Sequence, residues 1–414
     1  MKSHIIVSTI ALLVLVMSAC APLVEQAPID QPTTEDISSL VETEADSSKE
    51  PPLASTEPPI TNANPPAGAQ REFFTDFSIT AVSFDEILSG GPPKDGIPSI
   101  DDPKFIRVED ADEWIGTLEP IIQVSINQEV KGYPIQILTW HEIVNDIVGG
   151  VPVVVTFCPL CNTAIAFQRT IDNQVLDFGT TGRLRFSNLI MYDRQTETWW
   201  QQGTGEGIVG SLTGTQLEFV PAAMISWEEF KNANPDGLVL SRETGHLRSY
   251  GRNPYVGYDN INNPPFLYQG PATPGQLPPV ARILALEFDG EAAAYPYDIL
   301  SEVNVINDRV GDRDVAIFWA PGTASALDTS AIEEGQDVGS ATAYDRYIDG
   351  QLLTFEYDGE NIIDTETGST WDILGRSLSG PLSGTQLTEV VSVNHLWFSW
   401  AAFKPETRIY QPDL

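Results

Sequence analysis

The sequence predicts an α+β fold that is mostly antiparallel β, built as two tandem homologous repeats of a β-meander with short helices. Three observations lead to this prediction: apolar residues that alternate along short runs, short strings that recur in the same order, and a Pro/Gly-rich stretch between the two copies. A chain of 414 residues is also long enough for more than one domain.

Short β-type runs separated by polar turns fill the first copy. Residues 152–157 (PVVVTF) are apolar and β-branched, and residues 163–167 (TAIAF) and 174–178 (QVLDF) alternate. Helical spacing predicts two short amphipathic helices, over residues 137–147 and 226–232. This mixture favours a meander with helices over a parallel nucleotide-binding sheet.

Four matches carry the repeat. They are residues 132–138 (GYPIQIL) with 294–300 (AYPYDIL), 144–146 (VND) with 306–308 (IND), 214–217 with 384–387 (GTQL in both), and Ser226, Trp227, Phe230 and Lys231 with Ser399, Trp400, Phe403 and Lys404. We therefore expect five segments: a signal peptide over 1–19, a tether over 20–70, the first repeat with an N-terminal extension over 71–252, a connector over 253–279 and the second repeat over 280–414.

The N-terminus is typical of a bacterial lipoprotein. Lys2 precedes a short, largely apolar run, and small residues lead to a cysteine in residues 16–20 (VMSAC). The sequence predicts cleavage before Cys20 and acylation of its thiol, with chains such as palmitate. Lipid would then hold the protein at the extracytoplasmic face of the cell membrane.

The next segment and the overall charge limit the choice of partners. Residues 21–70 are rich in Pro, Glu, Ser and Thr and lack aromatics, which predicts a disordered tether. The chain has 58 acidic and 22 basic residues, for a net charge of −36. Such acidity argues against nucleic-acid partners and against docking on acidic lipid headgroups, since both need basic patches.

The pair Cys158 and Cys161, in residues 158–161 (CPLC), is the strongest candidate for chemistry. It follows a predicted strand and precedes another, so we expect a tight turn between strands and not a thioredoxin-type helix. Two thiols at this spacing can oxidise to a disulfide or hold one metal ion. The second repeat has Ala320 and Thr323 at these positions, which indicates that the fold does not need the sulfurs.

Further ligands or proton carriers are few. After the signal peptide the chain has His141, His246 and His395, and the methionines Met191 and Met224. His141 precedes the cysteine strand and could assist as a base. Two cysteines with His141 and Met191 would suit a soft ion such as Cu, or Zn with harder ligands.

Several uncommon strings resemble the bacterial and archaeal domain-of-unknown-function family 3179. They are residues 90–98 (GGPPKDGIP), 102–105 (DPKF), 140–146 (WHEIVND), 157–164 (FCPLCNTA) and 191–194 (MYDR). The resemblance runs from about Thr75 to Tyr258, and Asn162 stands where the family pattern has Gly. The resemblance implies no established activity, but it places His141 and Met191 at family-like positions beside the cysteine pair.

Three hypotheses follow. The first is an extracytoplasmic thiol oxidoreductase that uses Cys158, Cys161 and His141, with a protein or a small molecule as its redox partner. The second is a protein that binds or delivers Cu or Zn through Cys158, Cys161, His141 and Met191. The third is a non-catalytic surface protein that binds ligands in grooves between the repeats. The solitary CxxC favours the first.

Overall fold

Antiparallel strands dominate the computed structural model, which describes residues 64–412. The predicted signal peptide, Cys20 and the tether as far as residue 63 lie outside the described residues. The predicted mostly antiparallel α+β fold is confirmed. Residues 71–252 are called the N-terminal half below, and residues 280–414 the C-terminal half.

The N-terminal half has three main sheets, whose strands follow in spatial order. They are Ile87–Ser89, Phe178–Arg185, Asn188–Asp193, Trp199–Gln201 and Glu206–Val209; then Phe219–Val220, Thr163–Gln168, Val151–Cys158 and Ile143–Val148; and then Ala223–Ser226, Pro120–Ile126, Glu129–Pro134, Leu238–Leu240 and Phe105–Arg107. A small hairpin adds Thr170–Ile171 and Gln174–Val175.

The C-terminal half also has three main sheets. They are Val393–Leu396, Arg282–Phe288, Glu291–Pro296 and Arg408–Ile409; then Val305–Val310, Arg313–Ala320 and Ser340–Asp345; and then Phe355–Tyr357, Ile362–Asp364, Thr370–Trp371 and Ser377–Ser379, with a small hairpin of Tyr347–Ile348 and Gln351–Leu352. Two pairings are parallel, Leu238–Leu240 with Glu129–Pro134 and Arg408–Ile409 with Glu291–Pro296.

The helices are short and lie at strand ends. The α-helices are Ala69–Glu72, Val108–Ala111, Ile135–His141, Trp227–Ala233, Tyr297–Val303 and Trp397–Ala401, and the 3₁₀ helices are Phe84–Glu86, Pro159–Cys161 and Ile332–Glu334. In the described part of the chain, no helix combines the length and hydropathy needed to cross a bilayer. The first helix begins at Ala69, just inside the segment predicted as tether.

Two sequence predictions about helices are corrected. The helix predicted over residues 137–147 is wrong in its second half, because it ends at His141 and Ile143–Val148 is a strand. The alternation in that strand is hidden by burial on both faces. The pairing of Trp227 with Trp400 is also out of register, since the residue that starts the corresponding helix is Trp397.

The halves pack against each other through one strand from each. Val393–Leu396 of the C-terminal half lies against Thr163–Gln168, and Ala223–Ser226 of the N-terminal half lies against Ser340–Asp345. One core cluster accordingly combines Trp227 and Phe230 with aromatic residues of the C-terminal half. The first of these two contacts brings the C-terminal half up to the cysteine turn.

Candidate functional site

A single turn of 3₁₀ helix joins the two cysteines. Cys158 ends the strand Val151–Cys158, and the helix Pro159–Cys161 follows at once. Proline suits the first helical position, where its fixed φ is already correct and no N–H is needed. Asn162 then takes a left-handed conformation with φ 50°, which Asn adopts more readily than most non-glycine residues. The predicted turn between two strands is confirmed.

Both sulfurs are free thiols in the interior. Their Sγ atoms lie 2.8 Å apart, and the residues are 2% exposed at Cys158 and 0% at Cys161. A disulfide bond measures about 2.05 Å between sulfurs, so only a small movement separates this arrangement from an oxidised pair.

Polar groups surround the inner sulfur. The Asn188 side-chain amide donates to Cys161 Sγ at 3.2 Å, and that thiol lies 3.5 Å from the Ser187 carbonyl. Burial raises the pKa of the Cys161 thiol well above its usual range and the neighbouring Cys158 raises it further, while hydrogen bonds from Asn188 and Ser399 lower it. Cys161 is therefore protonated at neutral pH, yet two donors are in place for the thiolate.

A buried amide network fixes the orientation of Asn188. Its Oδ1 accepts hydrogen bonds from the Gly203 N–H at 3.0 Å and from the Gln201 side-chain amide. Asn188 and Gln201 are both fully buried. Because two N–H groups occupy the oxygen, the amino group of Asn188 must face the sulfur.

The predicted connector, residues 253–279, covers the turn. The Tyr258 hydroxyl donates to the Leu160 carbonyl at 2.8 Å, and the Ser187 hydroxyl donates to the Phe266 carbonyl. Tyr255 and Leu267 pack against the same core cluster as both cysteines. Exchange with another thiol or disulfide therefore requires this cover to move, since exchange needs access to a sulfur.

His141 is engaged away from the cysteines. Its Nδ1 lies 2.7 Å from the Pro98 carbonyl and its Nε2 lies 2.6 Å from the Tyr250 hydroxyl. Burial lowers the pKa of His141 to about 4, so the neutral ring donates to Pro98 and accepts from Tyr250. Within residues 64–412 no hydrogen bond joins His141 to either cysteine.

Met191 lies in the same core cluster as both cysteines and is fully buried. It stands on the strand Asn188–Asp193, opposite Trp200 on the neighbouring strand. The long hairpin that ends in this strand therefore supplies both Met191 and the Asn188 amide to the region of the turn.

Sequence reasoning missed Glu142, which is 8% exposed and lies at a left-handed position with φ 59°. Burial raises the pKa of its carboxyl to about 8. The Phe157 N–H donates to the Glu142 carbonyl at 2.8 Å, so this residue stands beside the end of the cysteine strand. A sequence signal existed, because the corresponding position of the other half is Asn304, a residue type common at left-handed positions.

Sequence reasoning also missed a contribution from the C-terminal half. His395 Nδ1 lies 2.8 Å from the Thr163 hydroxyl and 3.1 Å from the Ser399 hydroxyl. Burial lowers the pKa of His395 to about 3, so its ring is neutral. Nothing in the sequence pattern brings residues so far apart together, and only the packing of the two halves does so.

Metal ligands are sparse around the turn. Among residues 64–412, no group of three or more His, Cys, Asp or Glu side chains is placed so that it could hold a metal ion. Met191 is the one further sulfur in the cluster that contains the pair.

Comparison with curated proteins and with solved structures found no match. One family model matches residues 94–407, which covers both halves and extends well past the stretch that carried the sequence resemblance. The match spans more than half of the chain and includes the cysteine turn. The chain belongs to the family described as Protein of unknown function (DUF3179).

Proposed function

We propose that the protein is a thiol–disulfide oxidoreductase that works outside the cytoplasm through Cys158 and Cys161. The observation that carries the proposal is the pair of free, buried thiols 2.8 Å apart at a strand end. The donors aimed at Cys161, from Asn188 and Ser399, give the pair a means to hold a negative charge during exchange.

The proposed reaction is a two-electron exchange. A disulfide substrate accepts two electrons and two protons and leaves as two thiols, while the Sγ atoms of Cys158 and Cys161 lose their hydrogens and form an S–S bond. The first bond to form is a mixed disulfide between one cysteine and a substrate sulfur, and the second cysteine then displaces the substrate. The opposite direction forms a disulfide in the substrate.

The metal-binding alternative has less support. Two thiolates on a tetrahedral Zn²⁺, with Zn–S distances of about 2.3 Å, stand about 3.8 Å apart. The 2.8 Å spacing of this pair is shorter, and His141 has both ring nitrogens in other hydrogen bonds.

We also propose that the halves are tandem copies of one unit. Buried hydrogen bonds recur in corresponding places, which supports the proposal beyond the recurring strings. The Tyr133 hydroxyl donates to Asp146 at 2.6 Å, and the Tyr295 hydroxyl donates to Asp308 at 2.7 Å. The side chains of Asn145 and Asn307 likewise each bond both backbone groups of one phenylalanine.

The membrane attachment is part of the same proposal. Cleavage before Cys20 and acylation of its thiol would hold the chain on the extracytoplasmic face, where disulfide chemistry persists. Replacing Cys20 with Ala should move the protein from the membrane fraction to the soluble fraction, and the intact mass of the wild type should include the acyl chains.

The redox proposal is tested on the full chain in detergent, equilibrated with graded ratios of reduced and oxidised glutathione. Trapping free thiols with a mass-shifting alkylator should show Cys158 and Cys161 lost together in one two-electron transition. The variant Cys158→Ala is the matched control, and it should show no such transition. Elemental analysis of the same sample measures any bound metal.

One soft metal ion per chain without a dithiol transition would favour the metal-binding alternative. Thiols that stay reduced across the whole series, in a sample without metal, would leave only a non-catalytic role.

A further inference from the structure

A cleft of about 520 Å³ separates the two halves close to the cysteine turn. Thr204, Glu206 and Phe219 line its N-terminal side, and His395 and Trp400 line its C-terminal side. Its volume falls within the range of roughly 300–1,000 Å³ that is usual for small-molecule sites. The chemistry of its lining indicates what kind of molecule it fits.

The hydrogen bonds around His395 fix its tautomer. The Thr163 hydroxyl donates to the Cys161 carbonyl at 3.1 Å, and the Ser399 hydroxyl donates to the Leu396 carbonyl at 3.1 Å. Each hydroxyl has one hydrogen, so both oxygens act as acceptors towards His395 Nδ1. Nδ1 therefore carries the ring proton, and Nε2 keeps a free lone pair.

That lone pair has no partner. His395 is 1% exposed, and its Nε2 has no hydrogen-bond partner among the described residues. The Thr204 hydroxyl, also in the lining, is a second buried polar group without a partner in the described part of the chain. Buried polar groups are nearly always paired, so an acceptor left open at a cleft indicates a ligand that donates a hydrogen bond.

Charges in the lining decide between an anion and a cation. Arg185 is bound to Glu86 at 2.7 Å, and Lys404 is bound to Glu287 at 2.6 Å, so both basic groups are neutralised. The Glu206 carboxylate makes no hydrogen bond or ion pair with the described residues. The free charge in the cleft is negative.

We propose that the cleft binds a small organic amine with an apolar or aromatic body. Its ammonium group donates hydrogen bonds to His395 Nε2, the Glu206 carboxylate and the Thr204 hydroxyl. Its body packs against Phe219 and Trp400, whose faces also attract a cation. The net charge of −36 favours the approach of such a ligand. The proposal does not depend on redox activity at the cysteines.

The test uses isothermal titration of the full chain with 2-phenylethylamine, in phosphate buffer at physiological ionic strength so that no buffer amine competes. 2-Phenylethanol and phenylacetate are the neutral and anionic probes of the same size. We expect the amine to bind at least tenfold more tightly than either. Glu206→Gln should weaken its binding by about tenfold, the size of one charge-assisted hydrogen bond.

Glu218→Gln, an exposed carboxylate outside the lining, is the matched control and should leave binding unchanged. Because the Glu206 side chain has no partner among the described residues, its replacement does not threaten the fold. The proposal is overturned if the amine does not bind at millimolar concentration, if the alcohol or the acid binds as tightly, or if Glu206→Gln and Glu218→Gln have equal effects.

Discussion

The cysteine turn, residues 158–161, and the counterpart turn, residues 320–323, have the same backbone setting and different side chains. The strands Val151–Cys158 and Arg313–Ala320 end at the first position of each turn. In each half the strand's penultimate N–H donates at 2.8 Å to the carbonyl of a left-handed residue, Glu142 or Asn304. A methyl group and a hydroxyl suffice where the sulfurs are absent, so the sulfurs serve chemistry and not the fold.

The hairpins beside the two turns differ in length. In the N-terminal half the hairpin of Phe178–Arg185 and Asn188–Asp193 is long, and its tip brings the Asn188 amide to Cys161. The corresponding hairpin, Phe355–Tyr357 and Ile362–Asp364, is shorter. Polar groups for a thiolate are thus supplied only where the thiols are.

The largest effect is expected from giving the cysteine turn the side chains of its counterpart. Cys158→Ala with Cys161→Thr should abolish the two-electron transition completely while the far-UV circular dichroism stays that of the wild type. The counterpart turn already accommodates Ala320 and Thr323. A double variant that fails to fold would contradict the claim that the sulfurs are dispensable for structure.

A matched pair of aspartates tests whether the halves are equivalent in stability. Asp193 accepts from the Thr196 N–H and hydroxyl and from the Trp200 indole, at 2.6–3.0 Å. Asp364 accepts the same three bonds from Thr367 and Trp371. Asp193→Asn and Asp364→Asn should each lower the free energy of unfolding by about 2–4 kcal/mol, since each replaces an acceptor of charge-assisted bonds.

Urea unfolding measures both aspartate variants. Losses that differ by more than about 2 kcal/mol would count against the halves being copies of one unit, since the same bonds would then have different worth.

The left-handed position of the cysteine half should carry a pH-dependent cost. The folded pKa of Glu142, about 8, lies above its unfolded value, so its ionisation opposes folding increasingly as pH rises from about 4.5 to 8. Glu142→Asn, which installs the residue type of Asn304, should therefore stabilise the protein at pH 8 by about 2–4 kcal/mol. The gain should shrink towards pH 5, where the carboxyl is protonated in the folded state and mostly so when unfolded.

Urea unfolding at pH 5, 6.5 and 8 measures this gain, and a gain independent of pH would show that strain at φ 59° matters and ionisation does not. Glu218→Gln, an exposed carboxylate, is the control and should show no such trend.

The sequence sufficed to predict features that depend on nearby residues. The alternation in residues 152–157 and 163–167 predicted both strands beside the cysteines, and therefore the turn between them. The helix predicted over residues 137–147 was half wrong, because burial of Ile143–Val148 on both faces hides the period of two.

The surroundings of the sulfurs were beyond sequence reasoning for a different reason. Asn188, Ser399 and His395 reach the turn through a hairpin and through the packing of the halves, and spacing along the chain records neither. Glu142 and His141 are neighbours in sequence, and the pattern alone favoured the histidine as the base. In the structure the histidine is held by Pro98 and Tyr250.

The smallest expected effect concerns how the two turns are held. Asp337 bonds the backbone N–H groups of Gly322 and Thr323 in the counterpart turn, at 2.9–3.1 Å. The cysteine turn is instead held by a connector residue, Tyr258, through one bond to the Leu160 carbonyl. A single neutral hydrogen bond contributes about 1 kcal/mol, which corresponds to about fivefold in an opening equilibrium.

Tyr258→Phe should therefore raise the alkylation rate of Cys158 by about fivefold without changing global stability by more than about 1 kcal/mol. Tyr268→Phe is the matched control, because that hydroxyl also donates to a backbone carbonyl of the connector, Pro271 at 2.6 Å, and not to the turn. Equal rates in the two variants would mean that the cysteines become accessible by general loosening of the connector. A rise in Tyr258→Phe alone would mean that this one bond governs access to the thiols, which the counterpart turn, with its fixed carboxylate, has no need to control.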